Sequence, residues 1–142
     1  MIKATELRIG NKVIALKNSG YDSRGVITAQ SIGSRGVNNW EDMGASGELA
    51  FSDLNPIPLT PEILEKCGFA NSEYYRHNHA INAGGCWYSV HYQDDTDEYW
   101  RGWIFNNDES DAACHRVAKI EFVHQLQNLF FALTGEELNV QL

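Results

Sequence analysis

The stretch EFVHQLQNLFFALTGEEL, residues 121–138, carries the clearest helical pattern in the chain. Phe122, Leu126, Leu129 and Leu133 recur at the period of an α-helix, and Val123 and Phe130 widen the stripe beside them. Gln125, Gln127 and Asn128 interrupt it, as in a half-buried helix. Gly135 follows Thr134 and can take the left-handed conformation that ends a helix at no steric cost. A single apolar face of this width requires a partner surface, and the natural partner is a sheet. The spacing therefore predicts a terminal helix laid on β-structure.

Upstream of that helix the pattern changes to that of strands. Residues 72–120 read as an antiparallel meander. Its runs are Ser72–His77, Trp87–Tyr92, Tyr99–Phe105 and His115–Ile120, rich in aromatic and β-branched residues. Turns are expected at Gly84-Gly85, at Asp94–Asp97 and across Asn106–Asp111. Further back, residues 7–58 hold short apolar runs, around Leu7–Leu16, Val26–Ile32 and Gly47–Phe51, separated by glycine turns. They predict a small barrel or rolled sheet. The polar stretch Ser34–Ser46 reads as a loop.

Asn55-Pro56-Ile57-Pro58 forms an extended connector, because two prolines in three residues exclude a helix. A short helix then starts with Thr60 as cap and Pro61 in its first turn. Leu59 and Leu64 are spaced to clasp across that start, and Gly68 ends it. The chain is thus expected to be α+β. An N-terminal small β-barrel-like lobe spans residues 1–58. Residues 59–142 hold a helix, an antiparallel β-meander and the C-terminal helix on which the meander packs.

At 142 residues the chain can bury a core, and its 21% charged and 43% hydrophobic content is that of an ordinary globular protein. Nineteen acids against eleven bases give a formal charge of −8, which works against nucleic-acid binding. The opening MIKATELRIG lacks a signal-peptide core, and no run is long enough to span a bilayer. Cys67, Cys86 and Cys114 are odd in number and widely spaced, so reduced thiols and a cytoplasmic location are expected.

Three segments resemble a family of short uncharacterised proteins encoded by phages and mobile elements of gut bacteria. They are Glu6–Asn11 (ELRIGN), Pro56–Phe69 (PIPLTPEILEKCGF) and His124–Leu138 (HQLQNLFFALTGEEL). Between them they frame nearly the whole chain. Ser34–Ser46 and Asp94–Glu98 match nothing in the resemblance. It implies a setting and an order of elements, and it transfers no activity, cofactor or site residue.

Signs of chemistry are sparse. His77 and His79 share a strand face if that segment is extended, and His91 lies on the next strand. Three imidazoles meeting there would hold zinc or nickel; as separate residues they are ordinary polar positions on a meander. Cys114-His115 and Cys86 with His91 hold a thiol and an imidazole, but neighbours on a strand face opposite ways. The acidic turns Asp94–Glu98 and Asn107–Asp111 lack calcium-loop spacing. No phosphate loop and no GxSxG elbow is present, and no cofactor is expected.

Aromatic residues are the surplus. Trp87 shares one strand face with His91, while Tyr88, Val90 and Tyr92 share the other. On the following strand Tyr99, Arg101, Trp103 and Phe105 alternate with Trp100, Gly102 and Ile104. Rings on both faces either pack the meander together or mark a contact surface. Sequence alone favours a non-enzymatic accessory or binding protein that meets a protein partner or its own copy through Trp87, Tyr99, Trp100, Arg101 and Trp103. The alternative is a small-ligand or metal-binding protein or hydrolase built on His77, His79 and His91.

Overall fold

A computed structural model describes residues 2–16, 25–39, 48–71, 78–92, 100–105 and 115–142, with the backbone alone at 78, 91–92, 100–105 and 115–118. The chain is α+β and divides into two compact units. One comprises Met1–Pro58 with Phe122–Asn128, the other Leu59–Glu121 with Leu129–Leu142.

The first unit is built from two three-stranded antiparallel sheets. β1 (Lys12–Ala15) lies between β2 (Gly25–Thr28) and β6 (Leu54–Asn55); β4 (Gly36–Asn38) lies between β3 (Ser31–Ile32) and β5 (Glu48–Ala50). Ala29 and Gln30 carry the chain from one sheet to the other. The Ala29 amide still donates to the Asn11 carbonyl at 2.8 Å, whereas the Gln30 amide donates to Asn38 at 2.9 Å. Strand alternation turns Val13 and Ala15 inward, and they join Ile2, Ile27, Ala29, Val37, Leu49 and Leu54 in one buried cluster. Both sheets contribute to that cluster, but no closed barrel forms among the described residues.

The second unit opens with α1 (Pro61–Lys66). Thr60 Oγ1 accepts from the Ile63 amide at 3.3 Å, so its first turn is capped as the sequence predicts. Leu59 and Leu64 are both buried at its start. Gly68 sits at φ +89°, and the Phe69 amide returns to the Leu64 carbonyl at 3.0 Å. A helix this short is held by docking rather than by propensity, and Leu64, Cys67 and Phe69 supply its buried side.

A five-stranded antiparallel meander follows, in the order β7 (Ala70–Asn71), β8 (Asn78–Ala83), β9 (Cys86–Tyr92), β10 (Trp100–Phe105) and β11 (His115–Ile120). The first expected run, Ser72–His77, lies outside the described residues. β8 occupies a segment whose sequence alone predicts only a connection. Asn-His-Ala-Ile-Asn-Ala has weak strand propensity, but Gly84 and Gly85, at φ +59° and +83°, make a two-residue hairpin. That turn pairs Ala83 with Cys86 and commits the residues before it to the ladder.

α2 (Val123–Thr134) is the predicted terminal helix, shorter at both ends than the amphipathic stretch. Gln125 Oε1 accepts from the Phe122 amide at 3.3 Å and closes the first turn. Gly135, at φ +73°, ends it. Leu138 and Val140 are nevertheless buried, in irregular chain. No described helix is long and apolar enough to cross a membrane.

The polar residues of α2 depart from expectation. Gln127 is only 2% exposed. Its Nε2 donates to the Gly10 carbonyl at 3.1 Å, and its Oε1 accepts from the Lys12 amide at 2.9 Å. Asn128 Nδ2 donates to the Glu6 carbonyl at 2.8 Å, and its Oδ1 accepts from Asn11 Nδ2 at 2.9 Å. Asn11, fully buried, accepts the Arg8 amide at 2.7 Å. These side chains clamp the first turns of α2 to residues 6–12. Buried amides of this kind satisfy backbone groups that would otherwise be stranded away from water. Glu6–Asn11 and the first turns of α2 thus meet in one hydrogen-bonded joint.

Candidate functional site

The candidate site is the meander of the second unit. The register pairs His79 with Val90 and Ile81 with Tyr88, and one step over pairs Ala80 with Ser89 and Asn82 with Trp87. Successive positions alternate between faces, so these are two distinct surfaces. Tyr88 meets Phe130 of α2 edge-on, with centroids 5.9 Å apart and planes at 65°. The helix therefore covers the face of Tyr88 and Val90. Trp87, on the other face, is 42% exposed, and its partner Asn82 is exposed beside it. Ser89 on that same face is buried. The reverse side of the sheet is thus open at the hairpin end and closed one row further in.

Pairing continues into β10. Phe105 opposes Trp87, Trp103 opposes Ser89 and Arg101 opposes His91; Trp100 opposes Tyr92 and falls in the alternate set with Gly102 and Ile104. Of the five sequence candidates, Trp87, Arg101 and Trp103 thus occupy one set of register positions and Trp100 the other. Tyr99 lies outside the described residues. A bulge between Gly102 and Trp103 shifts the β10–β11 pairing there.

The histidines distribute differently. His79 is buried and pairs with Val90, whereas His91 pairs with Asn78 on that strand, and His77 lies outside the described residues. Adjacent positions alternate, so the register separates positions 79 and 91. Among the described residues no three His, Cys, Asp or Glu side chains gather as a metal site.

The thiols are unlike each other. Cys67 is buried behind α1, and burial raises its pKa to about 11. Cys86 is half-buried on the hairpin. At pH 8 a maleimide is expected to modify Cys86 within minutes while sparing Cys67 until the protein unfolds. Peptide mapping by mass spectrometry checks this, and equal labelling of both thiols would contradict the burial.

One cleft of about 200 Å³ lies in this unit, lined by Ala83, Gly84, Tyr88, Leu133, Thr134 and Glu136. Burial, then the neighbouring Cys86, then the Glu136 charge raise the Tyr88 phenol above its ordinary value. Thr134 Oγ1 is already committed, donating to the Phe130 carbonyl at 2.8 Å and accepting from the Glu136 amide at 3.0 Å. The cleft therefore offers one carboxylate and one protonated phenol, without a nucleophile oriented by a base. Sequence reasoning missed it because Thr134 and Glu136 reach Tyr88 only through the tertiary fold. Comparison with protein-family models, with curated proteins and with solved structures returned no match.

Proposed function

We propose that this chain is a non-enzymatic accessory or binding protein of a phage or mobile element, contacting a protein partner or its own copy through the aromatic face of its meander. The observation that carries the reading is Trp87, a large ring 42% exposed on the face that α2 does not cover. Indole rings so placed are favoured anchors at protein interfaces, where they contribute more binding energy than most side chains. Register continuity from Trp87 to Phe105, and from Ser89 to Trp103, supports extending the surface onto β10. The phage or mobile-element setting rests on the three segments named above. The same proposal treats the first unit as a barrel-like support, which two sheets around one core favour. It sets the protein in the reducing cytoplasm, in keeping with three widely spaced cysteines without a CxxC pair.

Trp87→Ala tests it. Because the ring is largely outside the core, the variant is expected to keep its melting temperature within a few degrees. Sedimentation velocity is expected to show a loss of self-association, or affinity capture from host cells the loss of a partner. Unchanged behaviour in both measurements would overturn the reading.

A further inference from the structure

His124 is the most unusual polar group of the first unit. It stands one helical turn before Asn128 and three residues before Gln127, on the face of α2 that clamps residues 6–12. Its side chain is 1% exposed, and neither ring nitrogen has a hydrogen-bond partner among the described residues. Phe122 stacks against it, with planes 7° apart and centroids at 5.9 Å. A neutral imidazole already leaves one donor and one acceptor unmet in this position. A protonated one would leave two donors and a full charge.

Relief for that charge is limited. The nearby polar residues on its own helix, Gln125, Gln127 and Asn128, are uncharged. From the opposing 3-10 turn, Ala4–Glu6, the charged group whose field reaches the ring is Glu6. That carboxylate is engaged, accepting the Lys3 amide at 3.2 Å and closing its own turn. The Glu6 carbonyl is engaged too, by Asn128. Swinging Glu6 onto a protonated His124 would give up its bond to the Lys3 amide at the start of the turn that the clamp grips.

We propose that His124 is a proton-operated release for the joint between α2 and the N-terminal segment: the neutral ring fits the joint, and the protonated ring opens it. The sign follows from burial. Desolvation lowers the folded-state pKa of His124 below its ordinary 6.5, with Glu6 opposing more weakly. Below 6.5 the unfolded or opened joint therefore binds the proton in preference to the closed one. The joint is fully stable above that pH and weakens as pH falls through and beneath it.

The test is NMR of the full chain between pH 7.5 and 5, following the His124 ring protons together with protection of the Arg8 and Lys12 amides. Both amides are held by clamp side chains. In the wild type the protection factors are expected to fall at least tenfold on acidification, in step with His124 titrating below 6.5. His124→Phe keeps the stacking without the proton and is expected to hold its protection across the range. His124→Gln serves the same purpose should the phenyl ring not fit. The proposal is overturned if both variants lose protection as the wild type does. It is equally overturned if His124 titrates at or above 6.5 while the amides stay protected, since that outcome means a stable pair with Glu6.

Discussion

Gly36→Ala is expected to be the most damaging small substitution in the first unit, lowering the melting temperature by about 10 °C or preventing folding. Gly36 lies in β4, buried and paired with Ala50 of β5. A Cβ built there would stand 2.7 Å from the Leu49 carbonyl carbon and 3.1 Å from Ala50 Cα, and closer still to the Leu49 oxygen. These are backbone atoms of the paired strand, so no side-chain rotation relieves the overlap. The strands must part, and Val37 and Leu49, both in the core, must part with them. Overpacking of this kind costs about 3 kcal/mol or more. Gly25→Ala is the matched control. It is also a strand glycine, but its Cβ would meet nothing within 4 Å among the described residues. It is expected to be neutral or slightly stabilising. Thermal melts of the two variants side by side decide the matter, and similar behaviour would show that the β4–β5 approach is looser than described.

Asn11→Ala has the second large effect. Asn11 is fully buried, and the substitution strands the partly buried Arg8 amide and leaves the partly buried Asn128 Oδ1 without its donor. Each buried polar group left unpaired costs about 1–3 kcal/mol, so a loss of about 2–4 kcal/mol is expected in urea denaturation. Asn128→Ala is expected to cost a comparable amount. Because the two share one hydrogen bond, the double variant is expected to fall short of the sum by about 1 kcal/mol. Strict additivity would mean that the two amides act independently.

The extent to which the sequence disclosed this fold follows from locality. The cap at Thr60, the stop at Gly68 and the end of α2 at Gly135 are set within a few residues, and the chain carries them openly. The hairpin at Gly84-Gly85 was equally plain, yet β8 was not. Its residues are strand by pairing rather than by propensity, and pairing is a long-range fact. The amide clamp was hidden for a similar reason. Gln127 and Asn128 look like a solvent stripe until residues more than a hundred positions earlier supply the groups they hold. The site was half legible. Alternation in β9 separates Trp87 from Tyr88 on sight, but which face lies under α2 depended on Phe130 reaching Tyr88. The histidine trio turns on the same kind of long-range fact. Spacing in one strand brought His77 and His79 together on paper, whereas the position of His91 depends on a register that no local pattern encodes.

The central claim is that the polar residues of α2 are joinery, so that the helix is fixed in the first unit by side-chain amides rather than by its apolar stripe alone. Native-state hydrogen exchange at the Lys12 amide tests it most directly, because its acceptor is Gln127 Oε1. The account predicts protection comparable to the neighbouring β1 ladder amides, with selective loss in Gln127→Ala. Exchange at the rate of an open loop in the wild type, at neutral pH, would contradict it.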